Sequence, residues 1–359
     1  MNRSKLHRFR SYGTAGLLAA SLLVAATAAV AGGSERSVLV LTSTNNPASN
    51  AVVVFKLGRS GTPALSYLDT LTTGGKGGAG GNAGILQFKD GRGAVANFGS
   101  NTVTEVVRED DTIGIAGTIS QAPGCLQPDS VALTKDHLFI VGANCAESRA
   151  WPSGTPDGAV VALADPSAAQ IAAGKHWSAV TLKSGSVLQL PLTSQGALNG
   201  ASNPITLPST ANNTPLGGAF WGDLLGFTPA HSPDSFALVN QDQSVFPITG
   251  PTPPYPTNAP CWVAKGAGNV WYTANSPGLA ISIFFSDGEG GVFYKSIPLP
   301  GAPTDITVSD DGRWLAVIYS ASGDAHVAVF AIDSFGDLTL AASSGSVGVT
   351  AFNGVAISD

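Results

Sequence analysis

Charged residues are scarce in this 359-residue chain, making up 12% of it, about half the share of an average soluble domain. The formal net charge is −6, so the chain lacks the basic excess that suits phosphate backbones and anionic lipid heads. We therefore predict a protein that binds no nucleic acid.

Several motifs of catalytic and metal-binding proteins are also missing. The chain contains no G-x-S-x-G, H-E-x-x-H, C-x-x-C or EF-hand pattern, which argues against a serine-hydrolase elbow, a zincin and a zinc module. We predict that the protein uses no cofactor and no metal ion.

The first 31 residues have the pattern of a secretory signal peptide. Four basic residues precede an Ala- and Leu-rich run that ends in Ala29-Val30-Ala31, and the small residues at positions 29 and 31 favour cleavage there. Removal of residues 1–31 would change the formal charge from −6 to −10. The prediction is export to the periplasm or the extracellular space, with no stable membrane insertion after cleavage; the alternative is an uncleaved anchor.

Three cysteines remain for an exported chain. Cys125 and Cys145 lie at equal distances from a turn at Lys135-Asp136, so the spacing predicts a disulfide across one hairpin, with two buried thiols as the alternative. Cys261 has no obvious partner and is expected to be buried.

Short β-rich segments of similar layout recur along the rest of the chain. Similar units begin at Asn82, Pro128, Pro260 and Pro303, at spacings of 46, 132 and 43 residues. A repeat of about 40–50 residues with four short strands is typical of a β-propeller. The sequence therefore predicts an all-β fold of seven blades, or six if residues 158–214 form one large blade.

The two ends of the chain complement each other. The C-terminal "FNGVAISD" has the pattern of an opening strand, whereas "SVLVLTSTNN" has that of a second strand. Pairing of the two would complete blade one and remove an exposed edge. Residues 32–359 are thus expected to form a single propeller domain.

The stretch "TTGGKGGAGGNAG", residues 72–84, contains the pattern G-x-G-x-x-G. A phosphate loop requires a helix directly after the glycines, but here the strand-like "ILQF" follows. We interpret the stretch as a top-face connection between blades one and two, in which Lys76 is either solvated or a ligand contact.

The segments "NAVVVF", "NAGILQFKDGRGAVANFGSNTVT", "APCWVAKGAGNVWYTAN" and "PTDITVSDDGRWLAVIYSASGDAHVAVF" resemble the lactonase-type seven-bladed propellers. That family includes 6-phosphogluconolactonase-like and carboxymuconate-cyclase-like proteins with YVTN-type repeats. The resemblance covers most of the chain and implies a ligand site for a small anionic lactone or muconate on the top face. The chain departs from it at Leu238-Val239-Asn240, where relatives carry a carboxylate.

Alignment of the predicted inner strands places Ser130, Asp223, Trp262 and Asp305 at equivalent positions, with Asp129 one residue earlier. Carboxylates from several blades could bind a cation or position water, or they could cap turns and accept backbone N–H bonds. Trp262 could line a sugar pocket or pack between blades.

Two further residues are candidates for chemistry. His326 follows a loop on the top face and could act with Asp305 in proton transfer, or be a surface histidine. The segment Ala146–Gly158 is expected to be a top-face insertion, in which Arg149 could grip a carboxylate.

Two functions remain open at this point. One is an exported lactonase or cycloisomerase that acts on a small anionic or sugar-derived ring, with Arg149, Trp262, Asp129 and Asp223 binding the substrate. The other is a non-catalytic propeller that presents its top face to a protein or glycan.

Overall fold

The structure is a computed structural model that describes residues 37–58, 63–232, 236–248 and 259–359. The predicted signal peptide, residues 1–31, lies outside the described residues. Within these ranges, no helix has both the length and the apolar character needed to cross a membrane.

The described residues form strands that we number in chain order. The strands of the first four blades are β1 (Val38–Ser43), β2 (Ala51–Gly58), β3 (Ala64–Thr72), β4 (Leu86–Lys89), β5 (Arg92–Asn97), β6 (Thr102–Glu109), β7 (Thr112–Ser120), β8 (Pro128–Leu133), β9 (His137–Gly142), β10 (Cys145–Ala150), β11 (Val161–Ala162), β12 (Ala168–Ala173), β13 (Trp177–Leu182), β14 (Ser186–Pro191) and β15 (Asn203–Ile205). A single 3-10 turn, Phe98–Ser100, separates β5 from β6.

The remaining strands follow the same layout. They are β16 (Pro215–Trp221), β17 (Leu224–Pro229), β18 (Phe236–Val239), β19 (Val245–Ile248), β20 (Pro260–Lys265), β21 (Val270–Asn275), β22 (Ala280–Ser286), β23 (Gly291–Pro298), β24 (Ala302–Val308), β25 (Trp314–Ala321), β26 (Asp324–Ile332), β27 (Leu338–Ser343) and β28 (Asn353–Ser358).

These strands form seven four-stranded antiparallel sheets, which are the blades of a seven-bladed β-propeller. The seven-blade prediction is confirmed, and residues 158–214 contain β12–β15, the whole of blade four, rather than one large blade. In blades two to seven the four strands follow one another in sequence, from the inner strand at the channel to the outer strand at the rim.

Blade one is closed by the two ends of the chain. Its strand order is β28-β1-β2-β3, and β28 pairs antiparallel with β1 through partners such as Thr42 and Val355. The predicted closure is confirmed. Because β28 supplies the inner strand, the C-terminal segment completes the ring.

The core lies between neighbouring blades. All six residues of β1 are buried. β1 is the second strand of its blade and is covered by a neighbouring blade on each face, so most of its residues are apolar. The outer strand β23, in contrast, is largely accessible to solvent.

The predicted disulfide is also present. Cys125 and Cys145 are bonded, with their Cα atoms 5.6 Å apart. Cys261 is buried and free, and its burial raises the pKa of the thiol to about 11.

Most inner strands share a register shift near their top end. The shift lies directly before Ser130, Gln170, Gly218, Trp262 and Asp305. The predicted equivalence of Ser130, Trp262 and Asp305 is therefore correct. A bulge of this kind bends the strand and redirects its side chains.

Asp223 does not belong to this set. It lies in the turn between β16 and β17, at the opposite end of the blade, because the inner strand of blade five is Pro215–Trp221 and not the segment that begins at Phe220. Gly218 occupies the position expected for Asp223.

Candidate functional site

The glycine-rich stretch is the feature that shapes the top of the ring. We call residues 73–85, which connect β3 to β4, the crossing loop. Its first part is bound to blade one, where Gly77 N donates to Asn46 O over 2.8 Å and Gly78 N donates to Asn45 O over 3.0 Å. A strand follows the glycines, so the loop has no helix N-terminus with which to hold a phosphate.

The far end of the crossing loop lies across the channel. Ala83 N donates to Ala169 O of blade four over 3.3 Å, and Gly84 O accepts from Val131 N of blade three over 2.7 Å. Gly84 N also approaches Asp305 Oδ2 of blade seven at 3.4 Å. Three blades on different sides of the channel thus hold Ala83 and Gly84.

Gly84 has to be a glycine for two reasons. Its φ of +67° is unfavourable for other residues, and a Cβ there would lie 2.9 Å from Ser130 Oγ. The absence of a side chain is what lets the loop pass this close to the inner strand.

Beside the crossing loop lies a cavity of about 670 Å³, which we call the mouth cavity. Its walls come from the loop after β1, the crossing loop, the segment before β28 and the top ends of β20 and β24. No lining residue is charged. The polar lining residues are Thr44, Asn45, Asn46, Ser49, Asn82, Trp262, Ser276, Thr304, Thr350 and Asn353.

Two lining residues carry buried polar atoms without a hydrogen-bond partner among the described residues. These atoms are Asn82 Oδ1 and Trp262 Nε1. The amide of Asn82 is otherwise well fixed, because its Nδ2 donates to both the backbone O and Oδ1 of Asp129, each over 2.8 Å. Neither atom is accessible to a water-sized molecule, although both residues contribute other atoms to the cavity walls.

Asp129 lies beneath this amide and is 7% exposed. Burial raises the pKa of its carboxyl to about 6, against the lowering effects of the Lys183 charge and the Asn82 hydrogen bond. Lys183 in turn donates to Gly80 O over 3.1 Å. A carboxyl of this kind can change its protonation state near neutral pH.

Asp305 is enclosed more completely. Its Oδ1 accepts from Ile306 N over 2.8 Å, and the Gly84 and Val355 amides also hydrogen-bond to it. Burial outweighs these bonds and raises its pKa to about 7. Asp305 therefore connects blade seven to β28 and to the crossing loop, and it lines a channel cavity of about 200 Å³.

His326 lies near the top end of β26, as predicted, but its surroundings differ from those of Asp305. The imidazole stacks on Tyr319 with ring centres 5.2 Å apart, and its Nδ1 lies 3.4 Å from Ser344 O. Strand β25 separates β26 from β24. The described residues contain no hydrogen bond between Asp305 and His326, so the expected pair is not assembled.

The position predicted for Arg149 is wrong. Arg149 lies in strand β10 and not in an insertion loop, and its buried guanidinium donates to Glu147 Oε2 and to Ser120 O. The true loop follows at residue 151 and lies on the bottom face, where Asp157 contacts His137 Nδ1 over 2.6 Å. Arg149 connects blades two and three and does not line the mouth cavity.

Asp223 is likewise engaged elsewhere. Its Oδ2 lies 2.7 Å from His176 Nδ1 and its Oδ1 accepts from His176 N over 2.8 Å. Both residues lie in turns on the bottom face. Of the residues predicted to bind substrate, Trp262 lines the mouth cavity. Asp129 does not line it but accepts a hydrogen bond from Asn82, which does.

Sequence reasoning missed Asn82. Asn82 is the one polar, uncharged side chain at the end of the glycine-rich stretch, and this isolated position could have identified it as a candidate site residue. Its role depends on how the crossing loop meets blade three, which no local pattern reveals.

Comparison with solved structures places the chain among known propellers. The periplasmic gluconolactonase PpgL of Pseudomonas aeruginosa superposes with a TM-score of 0.66 at 14% identity, covering 90% of this chain and 99% of that one. A protein from Lactobacillus plantarum superposes with a TM-score of 0.64 at 13% identity, covering 90% of this chain and 100% of that one. Apo AztD of Citrobacter koseri superposes with a TM-score of 0.59 at 12% identity, covering 90% of this chain and 98% of that one.

Neither the family models nor the curated proteins that were searched include a match. At these identities the structural likeness establishes a propeller fold similar to that of a gluconolactonase.

Proposed function

We propose that this protein is an exported, lactonase-like propeller that binds a small, uncharged, sugar-derived molecule in the mouth cavity. The observation that carries the proposal is the composition of the walls, which present amides, hydroxyls and one indole but no charged side chain. Aromatic faces and neutral hydrogen-bonding groups suit a polyhydroxylated ring, because each hydroxyl both donates and accepts.

An anionic ligand is a poorer match to the same walls. Arg149, the residue expected to hold a carboxylate, is bound to Glu147 on another part of the ring. The carboxyl of Asp129 also lies directly behind Asn82, and a carboxylate would repel an anion in the cavity.

Two observations support export. The Cys125–Cys145 disulfide is of a kind that persists in oxidising compartments, and the solved gluconolactonase of similar fold is described as periplasmic.

Hydrolysis of a sugar lactone is a second candidate function. It is suggested by the structural likeness to a gluconolactonase. The raised pKa of Asp129, about 6, would suit a general base or acid, but Asp129 does not line the mouth cavity and contacts it only through Asn82. The expected Asp305–His326 pair has no place in this reaction, since the two residues do not meet.

The test is a calorimetric titration of the purified protein with neutral hexoses, pentoses and aldonolactones, and with the matching aldonates. We expect a neutral member to bind at least about 10-fold more tightly than its anionic counterpart, a difference of about 1.4 kcal/mol. Tighter binding of the aldonates would contradict the neutral-ligand proposal. Absence of any binder would favour the protein- or glycan-binding scaffold instead.

Hydrolysis is tested separately by following acid release from the aldonolactones. Asp129→Asn should reduce the rate by at least about 100-fold if Asp129 transfers protons. Asp165→Asn, on another top-face loop, is the control and should leave the rate unchanged. A rate that survives Asp129→Asn would rule out a role of Asp129 in proton transfer.

A further inference from the structure

A second cavity, of about 490 Å³, lies on the bottom face, where turns of blades two and three meet. We call it the basic pocket. Among the described residues, seven line it, and three of these, Lys89, Arg92 and Lys135, are cationic, although the whole chain has only 18 Lys and Arg in 359 residues. The basic pocket therefore differs from the mouth cavity, which no charged described residue lines.

The side chain of Arg92 lies on the side of blade two that faces blade three. Side chains two residues apart on a strand lie on the same face of a sheet, and Ala94 belongs to one buried cluster with Val131 of blade three. Arg92 Nη1 also pairs with Glu105 Oε1, and Glu105 lies directly opposite Ala94 on the neighbouring strand. The Arg92 side chain is 42% exposed, so Glu105 orients the guanidinium while other N–H groups stay within reach of a ligand.

Trp151 contributes the apolar wall of the basic pocket. Its backbone N donates to Asp136 O over 2.8 Å, which fixes Trp151 beside the turn that carries Lys135. Its side chain is partly buried against the cluster that contains Ala94, so the indole lies on the same side of blade two as Arg92. An indole offers a flat apolar surface on which a planar ring can stack.

The positive charge of the pocket is only partly balanced. Lys135 lies in an exposed turn, and the ion pairs of the described residues do not include it. Lys89 Nζ lies 3.7 Å from Asp310 Oδ1, which is longer than a hydrogen bond. Asp90 is the one acidic residue among the described residues that line the pocket. A cation oriented by Glu105 and an unpaired exposed lysine therefore line the same pocket.

We propose that the basic pocket binds a small molecule in which a carboxylate or phosphate group is attached to a planar aromatic ring. The guanidinium fork of Arg92 matches two oxygen atoms of such an anion, Lys135 adds a second positive charge, and the indole of Trp151 stacks on the ring. The volume of about 490 Å³ lies in the usual range for small-molecule sites. The proposal is independent of the neutral-ligand site, since no described residue lines both cavities.

The first experiment titrates benzoate, phenyl phosphate and benzamide into the purified protein by calorimetry. Benzamide has nearly the shape of benzoate but no charge, so we expect benzoate to bind at least about 10-fold more tightly. The tighter of the two anions identifies the preferred anionic group. Raising the salt concentration from about 0.05 M to about 0.5 M should weaken binding of both anions and not of benzamide, because salt screens exposed charges.

Two substitutions test the cationic contacts. Lys135→Gln removes the charge of an exposed lysine and should weaken benzoate binding about 3-fold. Arg92→Gln should weaken it about 10-fold or more, because a hydrogen bond to a charged group is lost. Since Arg92→Gln also leaves Glu105 without its partner, thermal unfolding verifies that this variant is folded. Lys135→Gln breaks no ion pair of the described residues and tests the proposal without that complication.

Lys175→Gln is the matched control for Lys135→Gln. Lys175 lies in the equivalent turn of blade four, between β12 and β13, and both lysines are exposed. Only Lys135 lines the basic pocket. The affinity of Lys175→Gln for benzoate should therefore equal that of the wild type.

A second measurement reports on the stacked ring. The chain contains six tryptophans, and a proton–nitrogen correlation spectrum resolves their indole N–H groups. Saturation with benzoate should shift the Trp151 signal, assigned by its loss in Trp151→Phe, by more than any other indole signal, because a stacked aromatic ring changes the local magnetic field.

Three results would overturn the proposal. The first is that benzoate and phenyl phosphate bind no more tightly than benzamide, and the second is an affinity that neither Lys135→Gln nor Arg92→Gln reduces. The third is an equal loss of affinity in Lys175→Gln and Lys135→Gln, which would indicate a general attraction to surface charge. None of these results bears on the mouth cavity, whose expected ligands and lining residues are different.

Discussion

The two faces of the propeller differ in how their loops are held. On the bottom face, turns are held by charged side chains, through the ion pairs Lys89–Asp310 and Arg313–Asp311 and the histidine–aspartate contacts His137–Asp157 and His176–Asp223. On the top face, the loops that surround the mouth cavity contain no charged lining residue and are held by backbone and amide hydrogen bonds.

This difference indicates a division of roles. Exposed ion pairs contribute little stability, but they tolerate water and suit turns that stay in contact with solvent. Neutral loops held by backbone bonds leave a cavity whose polar atoms are available to a neutral ligand. The proposed function lies on the top face, so the following changes should affect the two faces unequally.

The largest effect is expected from removal of Phe352–Asp359, which takes away β28 and with it one wall of the mouth cavity. Phe352, Val355 and Ile357 are buried, and each contributes about 1.5–3 kcal/mol, so the loss approaches the whole stability of a typical domain. Thermal unfolding should show a collapse of the transition. Leu340→Ala, on an exposed position of β27, is the control, and an unchanged transition in the truncated protein would contradict ring closure by β28.

The next largest effect is a pH dependence at the top face. The folded-state pKa of Asp305 is raised to about 7, so the folded protein binds more protons than the unfolded one between about pH 4 and 7. Its stabilising contribution is complete below about pH 4 and is lost as the pH rises through 7, by at most about 1.4 kcal/mol per pH unit. In urea unfolding at several pH values, the free energy of unfolding of the wild type should decrease relative to that of Asp305→Asn as the pH rises. An increase in the wild-type free energy of unfolding relative to that of Asp305→Asn would contradict the raised pKa of Asp305.

A smaller effect separates two glycines with positive φ, one on each face. Gly84 in the crossing loop and Gly91 in a bottom turn have φ values of +67° and +81°, but only Gly84 has atoms in the space where a Cβ would lie. Gly91→Ala should cost about 1 kcal/mol through backbone strain, and Gly84→Ala clearly more, together with a loss of ligand binding. Equal costs in chemical unfolding would mean that the close approach of Gly84 to the inner strand is unimportant.

The smallest effect is expected at the bottom ion pairs. The His176 side chain is 53% exposed in its pair with Asp223, so the double variant His176→Ala/Asp223→Ala should lose less than about 1 kcal/mol. Its affinity for the ligand should equal that of the wild type in the same calorimetric titration. A marked loss of affinity would place ligand binding on the bottom face.

Much of the fold could be predicted from the sequence, because each blade repeats a local pattern of apolar strands and polar turns. The equivalence of Trp262 and Asp305 was visible from the proline two residues before each. Asp223 was misplaced because the inner strand of blade five, "PLGGAFW", contains two adjacent glycines and lacks the apolar run of its counterparts.

The candidate site was harder to predict, because it depends on contacts between distant blades. Arg149 looked like a loop residue since charged side chains are rare in buried strands, and only the structure shows that Glu147 neutralises it between two blades. Asn82 and Trp262 line the same cavity because the crossing loop spans the channel.

The most direct test of the account is a crystal structure of the protein with the tightest-binding neutral sugar or lactone of the panel. We predict ligand density in the mouth cavity, with oxygen atoms within hydrogen-bond distance of the amide and hydroxyl side chains that line it. Density confined to the bottom face, or a mouth cavity that stays empty of ligand under saturating conditions, would contradict the assignment of the functional site.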